Sequence, residues 1–288
     1  MDEGPGGRKT ANVSISDVTS QREGGWTHHI IGSQAFWVTV AVIVICIVMS
    51  FVSEAFATGN NIFNVTRNFA FIGIIALGMT AVIITAGIDL SVGSVMGLSG
   101  IVTGLVLDAG YPLFVGAGVG LMTALICGAV NGALIAYLKL SPFVVTLGML
   151  SIARSMALVI SNNKMVYQFG PDEELYLAIG GGTSLGVANP VVVLLVLTVI
   201  FALIFKFSVW GRHVYAIGGN EQAARLTGVP VDLIKVSVYV LSSTTAALAA
   251  ILQLGWLGAV TNALGTTVEL RVIAATVIGG ADLMGGAE

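Results

Sequence analysis

The sequence predicts an all-α polytopic integral membrane protein with about seven or eight transmembrane helices, each of which needs ~20 apolar residues. Two observations support this prediction. Hydrophobic residues make up 56% of the chain and charged residues only 9%, whereas soluble domains carry roughly 25% charged residues. The apolar residues also fall into long runs separated by polar intervals, as expected for helices that satisfy their own backbone polar groups in a bilayer.

The N-terminal residues 1–33 are polar and of mixed charge, which predicts a disordered cytoplasmic tail. Residues 34–288 are predicted to form a transmembrane domain. Seven apolar runs are long enough to cross a bilayer, and an eighth is so short that a re-entrant segment is an alternative. The predicted spans cover residues 34–51, 68–85, 92–107, 113–138, 142–161, 190–207 and 236–257, and the short segment covers 268–278.

Positive charge predicts the orientation of these spans. The segments on one side hold eight Lys or Arg residues, and those on the other side hold two, Arg67 and Lys164. Because positively charged loops stay in the cytoplasm, the larger set and the N-terminus are predicted to be cytoplasmic. Residues 208–235 are then cytoplasmic, and residues 162–189 form an extracytoplasmic loop. The larger set is Arg8, Lys9, Arg22, Lys139, Lys206, Arg212, Arg225 and Lys235.

The long polar interval within residues 211–230 predicts a short helix. Asn220 can cap its N-terminus, and Glu221 lies in its first turn. Arg225 follows four residues later, where it can pair weakly with Glu221, and Gly228 can stop the helix. A capped helix at the inner face suits docking of a soluble partner. From these observations alone, a plain loop joining two spans is about as well supported.

Several classes of function are disfavoured by composition. The net charge of −3 argues against nucleic acid as a partner. Cys46 and Cys127 lie inside apolar runs, so a disulfide framework is not expected. No Cys/His cluster has the spacing of metal ligands. The chain has no GxxxxGK(S/T) motif, so it should bind no ATP through a P-loop, and any ATP-driven transport must use another subunit.

The polar interval within residues 211–230 and three further motifs, in order along the chain, carry a resemblance to a known family. Residues 87–94 read GIDLSVGS, residues 141–143 read SPF, and residues 269–275 read ELRVIAA, followed by Gly279 and Gly280. Together they resemble the permeases of ABC importers of the ribose and simple-sugar branch, from about the first span to Glu288. Members of that family continue through further spans, so the resemblance implies that the chain is truncated at its C-terminus.

The resemblance implies a permease domain over residues 34–288 that carries a monosaccharide such as ribose across the bacterial inner membrane. The implied partners are an ABC ATPase subunit, a periplasmic sugar-binding protein and a second permease subunit in a homodimer. This chain would then hold no cofactor, because the ATPase binds the ATP, and it would catalyse no covalent chemistry. The implied ATPase-coupling residues are Gly219, Asn220, Glu221, Ala223, Ala224, Arg225, Leu226, Thr227 and Gly228.

Other functions are weighed against this one. A permease of the same superfamily could carry a branched-chain amino acid or a furanose signal molecule. An ion-coupled secondary transporter would need ion ligands or a proton relay inside its spans, where only three charged residues approach the interior. An intramembrane serine protease is suggested by the GxSG pattern around Ser99, but the histidines, His28, His29 and His213, all lie outside the spans.

A small set of polar residues in or near the spans are candidates for the pathway or its gate. Asp89 is either such a residue or, as favoured here, an N-cap of the third span at the water interface. Arg154 lies in mid-span, where it must find a carboxylate, carbonyl oxygens or water. Asn131 fits an interhelical hydrogen bond better than a ligand site. The full candidate set is Asp89, Ser91, Ser94, Asn131, Arg154 and Glu269.

Spans three and four are rich in glycines at GxxxG spacing, which allows helix backbones to approach closely. Packing within one helical bundle is favoured over a dimer face. The pairs are Gly93/Gly97, Gly100/Gly104, Gly116/Gly120 and Gly128/Gly132.

Overall fold

The computed structural model describes residues 34–184 and 186–282, and these residues are largely helical. A two-stranded hairpin of β1 (Thr183–Ser184) and β2 (Val187–Ala188) and a 3₁₀ turn at Gly170–Asp172 lie among the helices. The helices are α1 (Gln34–Val52), α2 (Gly59–Ile84), α3 (Val92–Asp108), α4 (Leu113–Ala136), α5 (Pro142–Ile160), α6 (Glu173–Gly181), α7 (Asn189–Phe207), α8 (Val209–Gly219), α9 (Glu221–Leu226), α10 (Val231–Leu257) and α11 (Val268–Ile278).

The prediction of an all-α polytopic membrane protein is confirmed. Among the described residues, five helices are long and apolar enough to cross a membrane: α2, α4, α5, α7 and α10. Shorter apolar helices occupy Phe36–Val52 and Val92–Asp108, so each of the seven predicted spans is a helix. The predicted cytoplasmic tail, residues 1–33, lies outside the described residues.

The chain divides into two compact units, residues 1–62 and 63–288. In the described part of the first unit, α1 runs for 19 residues without a charged side chain, which suits a span. A short turn follows before α2 begins. There the Asn61 side-chain amide donates to the carbonyl oxygen of Phe56 at 2.8 Å.

The core of the second unit is built on small residues. Gly116 and Gly120 of α4 lie against Leu107 and Thr103 of α3. Further along α4, Gly132 lies against α10 so closely that a Cβ there would be 2.6 Å from the Cα of Val236. Such approach is possible only without side chains. The prediction that these glycines serve packing within one bundle is confirmed for these pairs.

Several boundaries differ from prediction. α2 begins at Gly59, whereas the predicted span begins at residue 68, because polar residues do not prevent a helix from extending beyond the apolar layer. α10 likewise begins at Val231 instead of residue 236. The predicted outer loop, 162–189, contains α6 and the hairpin, and the predicted cytoplasmic segment, 208–235, contains α8 and α9.

The short helix α11 follows a non-helical segment, residues 258–267. The segment 258–267 runs along the glycine face of α3: Val260 lies beside Gly104, and Gly265 lies beside Gly93. α11 then continues to a cavity that its last turn shares with Ile84 at the end of α2 and Tyr215 of α8. The segment and α11 together therefore run from the C-terminal end of α10, past α3, to a cavity lined by Tyr215 of α8.

Candidate functional site

The first candidate site is the break between α2 and α3, where Asp89 is fully buried. Its Oδ1 accepts a hydrogen bond from the backbone N–H of Ser91 at 2.9 Å and another from the Ser91 hydroxyl at 2.6 Å. Its Oδ2 accepts from the hydroxyl of Ser242, in the middle of α10, at 2.9 Å. The carboxyl therefore ties the start of α3 to α10 inside the bundle.

Two further residues, Asn131 and Ser94, complete this polar cluster around Asp89. Asn131 of α4 donates through Nδ2 to the hydroxyl oxygen of Ser91 at 3.0 Å, so the predicted interhelical hydrogen bond is present. The Ser94 hydroxyl donates to the Ser91 carbonyl oxygen at 2.9 Å. Asp89, Ser91, Ser94 and Asn131 are thus brought together, and all four are buried. Together with Ser242 they form a hydrogen-bonded cluster that joins α3, α4 and α10, which we call the lock around Asp89.

The expectation that Asp89 caps span three at a water interface is wrong. Asp89 is 0% exposed, and the position that precedes the helix is occupied by Ser91, whose side chain makes no capping bond. The local part of the idea holds, because Asp89 does accept a backbone N–H two residues later. The chain folds back into the bundle between Ile84 and Val92, which carries the carboxyl away from water.

The α10 side of the cluster was missed by sequence reasoning. Ser242 supplies a direct partner, and the neighbouring Ser243 and Tyr239 are also buried, each with a side-chain oxygen that has no hydrogen-bond partner in the described part of the chain. The run of Ser and Thr at residues 242–245 inside an apolar helix was a usable signal. Consecutive hydroxyl side chains in a span indicate contact with other helices.

The second candidate site is the glycine face of α3. Arg154 of α5 donates through Nη1 to the carbonyl oxygens of Asn262 at 2.8 Å and Leu264 at 2.7 Å. Carbonyls were one of the kinds of partner expected for an arginine in mid-span. The bonds hold the segment 258–267, which is made mostly of turns, from the side of α5.

Glu269 lies one helical turn from Arg154 along this face. Its Oε2 lies so close to Gly93 that a Cβ there would clash with it, while a Cβ at Gly97 would lie 3.0 Å from Nη1 of Arg154. Arg154 and Glu269 also interact electrostatically. They are therefore close to each other but separate from the cluster around Asp89.

Ser99, the serine of the GxSG pattern, belongs to the packing of α3. It is buried, and its hydroxyl oxygen has no hydrogen-bond partner among the described residues. The glycines beside it, Gly97 and Gly100, lie against Leu264. His213 is placed in α8, and no hydrogen bond joins it to Ser99 in the described ranges. The arrangement offers no activated nucleophile.

The third candidate site is the segment of α8 and α9. As predicted, the Asn220 side chain caps α9 by accepting from the N–H of Ala223 at 2.9 Å. Gly228 ends the turn with φ of +86°, a left-handed conformation that suits glycine. The interval predicted as a loop with one helix therefore holds two helices joined at Asn220.

An ion-pair network holds α9 against the start of α10. Arg225 donates to both carboxylate oxygens of Asp232, at 2.8 and 3.0 Å, and Lys139 donates to the same carboxylate at 2.6 Å. Lys235 pairs with Glu221 at 2.5 Å. The predicted i,i+4 contact of Arg225 with Glu221 is present but longer, at 3.5 Å. Both charged side chains of α9 are therefore engaged inside this chain.

The same network changes the titration of two groups. Partial burial alone would raise the pKa of Glu221, but hydrogen bonds and charges from Lys235 and Arg225 outweigh it and hold that pKa below its usual value. The pKa of Arg225 is raised, chiefly because its guanidinium donates to Asp232. Both groups are charged at neutral pH.

The residues expected to couple to an ATPase divide into two faces. Ala224 is 4% exposed and faces the chain itself, whereas Leu226 is 90% exposed. Gly219, Asn220, Ala223, Thr227 and Gly228 are also exposed. A bulky side chain at Ala224 would therefore disturb the packing of α9 against its own chain, so a substitution there cannot test the fit to a partner. Substitutions at the exposed Ala223 and Leu226 can test it.

The sequence of this chain is similar to those of known membrane permeases. Residues 61–287 match the family described as the branched-chain amino acid transport system permease component. The chain belongs to this permease family. It is 34% identical over 248 residues to the ribose import permease of Haemophilus influenzae, which covers 86% of this chain and 77% of the relative. No solved structure matches it.

Two further relatives carry other names. The fructose import permease of Rhizobium meliloti is 34% identical over 258 residues, covering 85% of this chain and 72% of the relative. The autoinducer 2 import system permease protein of an Enterobacter species is 36% identical over 224 residues, covering 77% and 68%. The resemblance indicated by the motifs is confirmed, and the chain is a multi-pass transport subunit of the inner membrane. An ion-coupled secondary transporter is a different class and is set aside.

Proposed function

We propose that this chain is the permease subunit of an ABC importer and carries a monosaccharide such as ribose inward, driven by ATP bound in a separate subunit. The observation that carries the proposal is the similarity, over more than three quarters of the chain, to permeases named for ribose, fructose and autoinducer 2 import. These names favour a sugar over the branched-chain amino acid of the family description. Autoinducer 2 is the second candidate substrate.

The coupling element in this proposal is the exposed face of α8 and α9. Leu226 presents a large apolar side chain at 90% exposure on a helix whose charged groups are already paired. An exposed apolar side chain on a helix is suited to insertion into a hydrophobic pocket of a soluble partner. A displacement of α9 by the partner would be passed to α10, because the ion pair of Arg225 with Asp232 joins the two helices directly.

The remaining parts of the proposal concern orientation and assembly. The charge asymmetry supports a cytoplasmic N-terminus and a cytoplasmic α8–α9 segment. A periplasmic binding protein would deliver the sugar on the side of α6, and a second copy of the permease would form the other wall of the pathway. In this scheme the lock around Asp89 keeps the break between α2 and α3 closed against α10.

The test is reconstitution of the chain with its ATPase and binding protein in liposomes loaded with ATP. Uptake of labelled ribose should require all the subunits, and the purified chain alone should neither bind nor hydrolyse ATP. Leu226→Asp should lower co-purification with the ATPase about tenfold, as expected when an interface anchor is lost. Leu175→Asp is the matched control, because Leu175 is also an exposed leucine but lies on α6.

Three outcomes would contradict the proposal. Stoichiometric ATPase activity in the isolated chain would exclude a separate ATP-driven subunit. Uptake of a branched-chain amino acid but of no sugar by the complete assembly would assign the other substrate class. Equal co-purification of Leu226→Asp, Leu175→Asp and the unmodified chain would mean that α9 is only a connection between α8 and α10.

A further inference from the structure

A cavity of about 460 Å³ lies between the C-terminal end of α10 and the start of α11, beside the segment 258–267. Most residues of the bundle that face a neighbour are apolar or glycine, but four long or hydroxyl-bearing polar side chains line this cavity. They come from α10, from the segment 258–267 and from the start of α11, and they are Gln253, Thr261, Thr266 and Arg271.

None of these four side chains has a hydrogen-bond or ion-pair partner among the described residues. Threonines of the two adjoining helices do have partners: Thr244 of α10 donates to the carbonyl oxygen of Val240 at 2.7 Å, and Thr276 of α11 donates to that of Val272 at 2.8 Å. In a chain with 9% charged residues, an unpaired arginine beside an unpaired amide and two free hydroxyls is a set of groups available to a ligand.

The chemistry of the lining defines the class of that ligand. The guanidinium of Arg271 offers donors only, the amide of Gln253 offers donors and an acceptor, and the hydroxyls offer both. Apolar side chains of Leu257, Val260 and Leu264 complete the wall. Hydroxyl groups alternating with C–H faces on a small ring match this mixture of polar and apolar groups.

The same lining distinguishes a sugar from an amino acid. No carboxylate is among the residues that line the cavity, so the ammonium group of an amino acid would find no counter-ion there. Arg271 supplies a positive charge that repels cations further. A neutral molecule with several hydroxyl groups meets neither penalty.

The backbone around the cavity is held firmly. Gly265 has φ of +73° and lies against Gly93 of α3. Arg154 binds the carbonyl oxygens of Asn262 and Leu264 from the opposite side of the segment. Thr261 and Thr266 therefore project from a segment whose position is fixed by α3 and α5, which is the support that a specific binding site needs.

We propose that this cavity is a binding subsite for a neutral, hydroxyl-rich small molecule, namely the monosaccharide in transit, with Gln253, Thr266 and Arg271 as its hydrogen-bonding residues. The proposal rests on the proposed function. The cavity lies at the end of α10 that is predicted to be extracytoplasmic, so it would be the first site in the permease that meets the sugar released by the binding protein.

The experiment uses the full chain reconstituted with its ATPase and binding protein, and labelled D-ribose and 2-deoxy-D-ribose as probes. Arg271→Gln and Gln253→Leu should each lower ribose uptake, measured as kcat/KM, about tenfold, as expected for a lost hydrogen bond to substrate. Thr266→Val removes one hydroxyl at nearly constant shape. Lys164→Gln is the matched control, because Lys164 is also an exposed cation outside the cytoplasmic set but does not line the cavity.

Discrimination between the two sugars separates binding from a structural role. The unmodified importer should prefer ribose, and at least one of Arg271→Gln, Gln253→Leu and Thr266→Val should reduce that preference while ATPase activity and subunit assembly stay unchanged. Ribose uptake with unaltered kcat/KM and unaltered preference in all three variants would overturn the inference and leave the proposed function standing. Absence of any sugar uptake by an assembly whose ATPase is active would overturn the proposed function itself.

Discussion

The lock around Asp89 gives the sharpest test of the tertiary structure. Ser242→Ala removes one hydrogen bond, between the Ser242 hydroxyl and Oδ2 of Asp89. Hydrogen bonds between helices in membranes average ~0.6 kcal/mol and reach ~1.7 kcal/mol. Because this bond is fully buried, we expect a loss of ~1 kcal/mol in the free energy of unfolding.

Asp89→Ala should cost considerably more. It removes all three bonds and leaves the N–H of Ser91 and two hydroxyls without their acceptor in a buried site. Each buried donor left without a partner costs about 1–3 kcal/mol; because the hydroxyls can turn to other acceptors, we expect ~3–5 kcal/mol in total. Asp89→Asn keeps one acceptor oxygen for Ser91 and can donate to Ser242, so its cost should be ~1 kcal/mol.

The measurement is unfolding of the purified chain in mixed detergent micelles with increasing denaturing detergent. Ser243→Ala is the control, since Ser243 is adjacent and also 0% exposed, but its hydroxyl has no partner in the described residues. We expect Ser243→Ala to change the free energy of unfolding by less than ~0.5 kcal/mol. Equal effects of Ser242→Ala and Ser243→Ala, or a stable Asp89→Ala variant, would refute the contacts assigned to Asp89.

Two other predictions concern the polar segments. In intact cells, in a background without native cysteines, an impermeant maleimide should label Lys164→Cys and not Gln222→Cys, because the charge asymmetry predicts opposite sides for these two exposed residues; labelling at residue 222 would invert the topology. The pKa of Glu221 is lowered in the folded chain, so its ion pairs stabilise α9 above the ordinary pKa of a glutamate, and this contribution is lost as the pH falls through the lowered value. The difference in melting temperature between the unmodified chain and Glu221→Gln should therefore shrink from pH 7 towards pH 3, and an unchanged difference would contradict the pairing with Lys235.

The elements of the fold were accessible to sequence reasoning because their signals are local. The starts of α3, α4 and α11 agree with the predicted runs, since apolar composition and helix-ending residues act on neighbouring positions. The cap at Asn220 and the stop at Gly228 were also predicted, because each depends only on residues within one turn. Boundaries failed where a helix continued into polar sequence, as at Gly59 of α2.

Contacts between residues that are far apart in the sequence depend on the tertiary structure. Asp89 and Ser242 are 153 positions apart, and nothing in the local pattern around residues 87–94 indicates that the chain turns inward there; the local pattern favoured a cap at the water interface. The i,i+4 pair of Glu221 and Arg225 was visible in the sequence, but the stronger bonds of Arg225 to Asp232 depend on how α9 folds back on α10.

The sequence by itself determined that this chain is a helical membrane permease, because hydropathy, charge asymmetry and three ordered motifs are properties of the chain as written. Only the tertiary structure decided which polar groups are used inside the bundle and which stay available. Arg154 is occupied by the carbonyl oxygens of Asn262 and Leu264, whereas Arg271 lines a cavity without a partner in the described part of the chain. Both are arginines near apolar sequence, and they differ because burial and pairing depend on what packs beside a residue in three dimensions.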